Sequence, residues 1–178
     1  STAEAYATAN NHRFVALTGV SLSGQIKVEG NTTSPTTVKL MQNGTVVSQT
    51  EITGNTYSFT GVSVGTYDLV IERENHLPYT ITGIPVGIED VDLRTHLNAA
   101  ISHAVLPAGD INGDNCIDLQ DLILLTSADT FNKSYASAAV KAADVNGDQL
   151  IDLKDLIIIT SEQNFNKPPV IVSFLPEA

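Results

Sequence analysis

The 178-residue chain carries 20 acidic against 9 basic side chains, a formal net charge of −11, with 42% hydrophobic and 16% charged residues. That hydrophobic share suits folded material rather than a disordered tail, and the acidity repels nucleic-acid phosphate and anionic lipid, so a cationic partner or bound cations is the better expectation. The lone cysteine, Cys116, forbids an intrachain disulfide, and apolar runs such as the one ending at Ile159 are far too short to cross a bilayer.

The length allows two small domains, or one sandwich with an appendage. The first residues, STAEAYATANN, lack a basic and apolar leader, which predicts either a removed signal or a piece of a longer polypeptide. From about Phe14 to His96 the pattern has period two. Val38 and Leu40 alternate with polar neighbours, Asn43-Gly44 is a hairpin signal, and Tyr57 with Phe59 and Leu69 with Ile71 alternate again. Short strands at roughly 8–12-residue spacing predict a small all-β sandwich over residues 1–105. Pro107 and Gly109 then forbid a helix running into Asp110.

Beyond Asp110 the period becomes helical. Leu119, Leu122, Ile123 and Thr126 share one helix face, and Leu153, Leu156, Ile157 and Thr160 share its counterpart. The alanine-rich segment Ser134 to Ala143 predicts a third, linking helix. Pro168-Pro169 stops the last helix, leaving the tail VIVSFLPEA to add a strand or stay loose. Residues 110–133 and 144–167 align at a constant offset of 34 with 15 of 24 positions identical, including the closing Phe-Asn-Lys of each copy. Two copies are too few for a solenoid and predict a pseudo-twofold pair packed face to face.

Each copy opens on a run of oxygen-bearing side chains. Calcium takes about six to eight oxygens at about 2.3–2.6 Å, and a twelve-residue loop supplies them from positions 1, 3, 5, 7, 9 and 12. In the first copy these positions hold Asp110, Asn112, Asp114, the carbonyl of Cys116, Asp118 and Asp121; in the second, Asp144, Asn146, Asp148, the carbonyl of Leu150, Asp152 and Asp155. Every slot is filled twice, predicting two Ca2+, whose combined charge of +4 would bring −11 to −7. Ile117 and Ile151 fall at position 8, where each is expected to pair with its twin across the two loops. Position 6, normally Gly, is Asn115 in one loop and Gln149 in the other; Gln accepts a left-handed backbone less readily, so the second loop is expected to be strained. The bland reading is a pair of solvated acidic turns with Asp as helix caps. With no entering helix before the first loop, a sensor-type opening is not expected, and calcium is assigned a structural role: its removal should collapse this part and leave the sandwich largely folded.

These motifs, Gly109-Asp110-Ile-Asn-Gly-Asp114 and Asp144-Val-Asn-Gly-Asp148 with an Asp-Leu-Ile helix start in each copy, resemble a dockerin, the duplicated calcium-loop module that plugs into cohesin domains of cellulosomes. The stretch NTYSFTGVSVGTYDLVIERENHLPYTITGIPV from Asn55 is similar to an X-module, the immunoglobulin-like or carboxypeptidase-regulatory-like β-domain that commonly precedes type II dockerins. The resemblance implies an X-module over 1–105 and a dockerin of two calcium loop-helix (F-hand) motifs, with the tail, over 106–178. It implies a cohesin-facing set of Leu119, Gln120, Leu153 and Lys154, with Thr126, Ser127, Thr160 and Ser161 on the following turns. A Leu followed by a longer polar residue, in place of the Ser-Thr pair of the enzyme-borne type, is similar to type II dockerins, which link a scaffoldin to a cell-surface anchor. The partner implied is therefore a type II-like cohesin, and the location secreted or cell-surface associated.

An apolar anchor flanked by hydroxyls also suits an interface core with a polar rim; the competing reading makes Leu119 and Leu153 core residues of the loop-helix part itself. The near-identity of the copies opens two binding orientations, with Gln120 against Lys154 and Ala128 against Glu162 breaking the symmetry. The rival from another class is a calcium-dependent carbohydrate-binding module, but the chain has no Trp, and Tyr57, Tyr67 and Tyr79 alternate into the predicted core. His12, His76, His96 and His103 have no Cys or Glu at metal spacing, and no nucleophile elbow or phosphate loop appears, so a non-catalytic protein is expected.

Overall fold

The computed structural model describes residues 19–30 and 33–175; the expectations for His12, for a strand pattern starting at Phe14 and for the end of the tail fall outside them. The alternating segments form β1 (Val20–Val28), β2 (Thr36–Gln42), β3 (Thr45–Ile52), β4 (Thr56–Val62), β5 (Gly65–Glu72) and β6 (Tyr79–Val86). In β5, Tyr67, Leu69 and Ile71 are buried while the residues between them are not, which is what the two-residue side-chain period of a half-buried strand produces. Asn43 and Gly44, with φ of 51° and 75°, make the tight turn joining β2 to β3.

Two sheets result. In one, β4 pairs antiparallel with β1, and β7 (Val91–Asp92) and β8 (Ala104–Leu106) both run parallel to β1 on its other side. The other has the order β11-β6-β5-β2-β3, where β11 is Val170–Ser173. The tail thus adds a strand, parallel to β6, with Val170 opposite Tyr79 and Ser173 opposite Thr82. One core lies between the sheets, built from Leu22, Ile26, Val38, Leu40, Phe59, Leu69, Ile71, Ile81 and Ile84 together with the three buried tyrosines. Between β7 and β8 a 3-10 turn (Leu93–Thr95) and the one-turn α1 (Ala99–Ser102) send Leu93 and Ile101 into that core.

The remainder holds α2 (Leu119–Thr126) and α3 (Leu153–Ile159), packed through a second core of Ile111, Ile117, Leu125, Val145, Ile151 and Ile159. Leu77, from the β5–β6 connection of the sandwich, is fully buried in that second core. Around it the backbones are tied: the Leu77 amide donates to the Pro107 carbonyl (3.0 Å) and the Gly109 amide to the Asn75 carbonyl (2.9 Å). Gly30 comes so close to Val145 that a Cβ would lie 2.3 Å from its carbonyl oxygen. No helix precedes the first loop, because the chain arrives directly from β8 through Pro107; Gly109 has φ of 129°, and a Cβ there would fall 2.9 Å from Ile159 Cγ1.

The linking helix over Ser134 to Ala143 is not formed. Lys133–Ser134 is a short strand, β9, followed by turns and a 3-10 turn at Lys141–Ala143. Ten residues are below the roughly 12–15 at which even alanine-rich helices become stable alone, and other bonds claim the segment. The Ala138 amide closes one turn on Ser134, but the Ala139 amide donates to the Asp129 carbonyl (3.0 Å) instead of continuing it.

Candidate metal loops and helix faces

The two loops wrap around their first aspartate. In the first, Asp110 Oδ1 accepts from the amides of Gly113 (2.9 Å) and Asp114 (3.1 Å), and Oδ2 from that of Asn115 (3.0 Å). In the second, Asp144 Oδ1 accepts from Gly147 (2.9 Å) and Oδ2 from Gln149 (3.0 Å). Converging amides demand a left-handed backbone at positions 4 and 6: φ is 76° at Gly113, 66° at Asn115, 74° at Gly147 and 70° at Gln149. Gln149 therefore adopts the conformation that L side chains resist, at a cost of about 1 kcal/mol.

Successive ligand positions brace one another in the same way in both copies. Asn112 Oδ1 accepts from the Asp114 amide and Asp114 Oδ1 from the Cys116 amide; Asn146 and Asp148 repeat this toward Asp148 and Leu150. Asp118 and Asp152, at position 9, cap their helices by accepting from the amides of Gln120 (2.7 Å) and Lys154 (2.8 Å). Asp121 and Asp155, at position 12, return bonds to the Asp118 and Asp152 amides, completing a capping box. Their other oxygens reach back to the loop start, Asp121 to the Ile111 (2.8 Å) and Asn112 (3.2 Å) amides and Asp155 to the Asn146 amide (3.0 Å). Capping and loop closure are thus one arrangement, so the capping reading and the calcium reading do not compete.

The electrostatics favour a cation. Asp110, Asp121, Asp144 and Asp155 are all buried. Burial, with Asp121 adding like-charge repulsion, raises the pKa of Asp110, and burial with Asp144 nearby raises that of Asp155. An oxygen that accepts one amide keeps lone-pair capacity for a metal. Among the described residues no three His, Cys, Asp or Glu side chains by themselves close around one point; the predicted sets also draw on the Asn112 and Asn146 amides and on two backbone carbonyls, donors suited to a hard cation such as calcium. The sites differ at one charge: Lys154 Nζ donates to Asp148 Oδ2 at 2.7 Å, the hydrogen bond that chiefly lowers the Asp148 pKa and raises that of Lys154, whereas the first loop has Gln120 at that place.

Ile117 and Ile151 do not pair with each other. Ile117 bridges to Lys167, and its carbonyl accepts from the Asn166 amide (2.8 Å). Ile151, in β10 (Leu150–Ile151), pairs with Lys133 of β9, and its carbonyl accepts from Asn132 (2.8 Å). Each loop is clasped by the Asn-Lys that closes the other copy, with Asn132 and Asn166 both left-handed at φ of 55° and 56°. The identical endings of the repeats serve this reciprocal contact.

The outward helix faces carry the predicted partner residues. Leu119 (63% exposed) and Leu153 (59%) are not core residues, and one turn on, Ile123 (60%) and Ile157 (60%) extend the same two faces. Gln120, Thr126, Lys154 and Thr160 are exposed, Ser127 and Ser161 half-buried. Thr126 and Thr160 donate to the carbonyls of Leu122 and Leu156 (2.6 and 2.7 Å), leaving acceptor capacity outward. The core is reached instead by Leu125 and Ile159, with Leu122 and Leu156 half-buried. The predicted partner set omits Ile123 and Ile157, although their i+4 spacing from Leu119 and Leu153 is a signal present in the sequence.

Nothing comparable gathers elsewhere among the described residues. A cleft of about 760 Å3 on the sandwich, lined by Val91, Leu93, His96, Leu97 and Phe174 among others, includes no loop or helix-face residue. Tyr57, Tyr67 and Tyr79 are buried, so they offer no platform for a sugar ring. His76 is buried with its ring nitrogens facing the Glu74 and Glu29 carbonyls, His96 packs at a tilt of 56° against Phe174 with centroids 4.5 Å apart, and His103 is exposed beside Ser102.

A β-sandwich tied edge to edge to a duplicated loop-helix unit is the class of protein that fold and site define. No protein-family model and no curated protein matches the chain. Solved structures do: a chain of a type II cohesin–X-dockerin complex from Acetivibrio cellulolyticus carrying an N-terminal interface mutation matches with a TM-score of 0.65 at 27% identity, over 84% of this chain and 97% of that one. A C-terminal interface mutant of that complex matches with the same TM-score and coverage at 26% identity. The chain thus resembles an X-module joined to a dockerin in structure as well as in motif.

Proposed function

We propose that the chain is a non-catalytic, calcium-dependent docking module, an immunoglobulin-like X-module over residues 1–105 followed by a dockerin over 106–178, that binds a type II-like cohesin of an anchoring or adaptor scaffoldin outside the cell. The observation that carries this reading is the pairing of two exposed aliphatic faces, Leu119 with Ile123 and Leu153 with Ile157, with loops whose hydrogen bonds fix the start of each helix. In this reading two calcium ions, held by Asp110, Asn112, Asp114, the Cys116 carbonyl, Asp118 and Asp121, and by Asp144, Asn146, Asp148, the Leu150 carbonyl, Asp152 and Asp155, neutralise the buried carboxylates. The loops orient the helices. Leu119, Ile123, Leu153 and Ile157 then supply a desolvated centre, and Gln120, Lys154, Thr126, Ser127, Thr160 and Ser161 its polar rim. The similar solved structures are complexes with type II cohesin by their descriptions, which supports the choice of partner.

Calorimetric titration against type I and type II cohesins, with calcium and again with chelator, tests the reading. Tight binding to a type II member that chelator abolishes is the expected result. Equal binding with and without calcium, or none to any cohesin, would remove it.

A further inference from the structure

We propose that Lys154 is a resident competitor cation for the second calcium loop, so that the two loops load unequally, the first ahead of the second. The proposal rests on the calcium reading above and concerns how those sites are regulated.

Across the twelve loop positions the copies differ at four places, Ile111/Val145, Asn115/Gln149, Cys116/Leu150 and Gln120/Lys154, and only the last changes charge. Most of the hydrogen bonds that shape the loops recur in both copies, apart from the Asp114 amide bond to Asp110 Oδ1 in the first, so exchanging the residue at position 11 within one loop isolates the effect of that charge. Lys154 Nζ sits 2.7 Å from Oδ2 of Asp148, the position-5 ligand, while Oδ1 of the same carboxylate is committed to the Leu150 amide. In the first loop the matching oxygen, Asp114 Oδ2, is met by the neutral amide of Asn112 at 2.8 Å. Calcium entering the second loop must share or displace an ammonium that already neutralises one of its four carboxylates. In the first loop it meets four carboxylates with no such occupant at position 11.

The Lys154 side chain is largely exposed, so once displaced it swings into solvent and the penalty is modest. Exposed ion pairs are worth at most about a fivefold change in an equilibrium constant, and the expected weakening of the second loop from this source is therefore about two- to fivefold. Salt shrinks it, because screening acts on the exposed pair. A partner carboxylate that draws Lys154 away from Asp148 would, by reciprocal linkage, tighten calcium in that loop.

Calcium titration of the full chain by calorimetry, for the natural sequence, K154Q and Q120K, tests this. The natural chain should bind two ions with unequal constants. K154Q, which places the first loop's own residue in the second, should tighten the weaker step about two- to fivefold and leave the stronger unchanged. Q120K should weaken the stronger step by a similar factor, with calcium-loaded helix content by circular dichroism unaltered in both variants. Two bound ions with constants unmoved by K154Q would overturn the proposal and leave the loops as calcium sites. Absence of calcium binding in all three proteins would overturn the proposal together with the reading beneath it.

Discussion

At the scale of single residues, the aliphatic pairs on the outward faces separate binding from folding. Leu119, Ile123, Leu153 and Ile157 are each about 60% exposed, so truncating them removes little buried area. The paired substitutions L119A/I123A and L153A/I157A should leave the unfolding midpoint within about 4 °C, since surface changes away from special features stay near ±0.5 kcal/mol each. At a cohesin interface the same residues would be desolvated, and loss of a central pair should weaken binding at least tenfold, a truncation cost typical of interface centres. Calorimetry on the two double variants would also show which copy faces the partner. If neither weakens binding, the helix faces are not the docking surface. Titration gives a second residue-level check. Asp110 and Asp155 have folded pKa values raised chiefly by burial, so without metal their charged forms oppose the folded loops, and the opposition fades as pH falls through those raised values toward the ordinary carboxylate range near 3.8. With calcium the dependence reverses, because the same protons compete with the metal. Helix content by circular dichroism at several pH values should rise as pH falls in chelator and fall in calcium; parallel trends would contradict this account.

At the scale of elements, the reciprocal clasp explains why both copies end in Phe-Asn-Lys. Asn132 and Asn166 adopt left-handed backbone conformations to direct their amides at Ile151 and Ile117, a conformation that costs Ala roughly 1 kcal/mol and Gly nothing comparable. N132A and N166A should each lower the stability of the calcium-loaded protein by about 1 kcal/mol, while N132G and N166G stay closer to the natural chain. Equal losses for Ala and Gly would mean the side chain, not the backbone, is what matters. The elements are legible in the sequence where chemistry is local. Alternation in β2, β4 and β5 announces buried Val38, Leu40, Tyr57, Phe59, Leu69 and Ile71, and Asn43-Gly44 announces its hairpin. The repeat announces two loops and two exiting helices. Three features need the tertiary structure. The segment after Lys133 reads as helix by composition, but its backbone is claimed by the Asp129 and Gln149 carbonyls, which lie outside it. The exposed direction of each helix is only partly readable: spacing ties Ile123 and Ile157 to Leu119 and Leu153, but the apolar runs 122–125 and 156–159 offer several faces, and packing decides that Leu125 and Ile159 turn inward. The position-8 isoleucines have strand-like neighbours on the opposite copy, a choice that depends on how the two copies approach each other.

At the scale of the whole molecule, the two parts are not beads on a string. The loop-helix part leaves the sandwich from β8, hydrogen-bonded to β1, and returns to it as β11, hydrogen-bonded to β6. Leu77 of the sandwich completes the second core. An expectation built from the sequence, that chelation collapses the loops and leaves the sandwich largely folded, needs revising on these contacts. If the loops hold calcium as proposed, its loss should uncouple Leu77 from its surroundings and loosen the restraint on β11, so part of the cost should appear in the sandwich. L77A tests the coupling from the other side. Removing a fully buried leucine typically costs about 2–5 kcal/mol, and here the residue belongs by chain to the sandwich but by packing to the calcium-loop part. If the two parts unfold as one unit in calcium, L77A should lower a single thermal transition. In chelator it should have a much smaller effect on the remaining sandwich transition, because its core is already gone. A cost that is the same with and without calcium would show that Leu77 is supported by the sandwich alone and that the two cores are energetically separate.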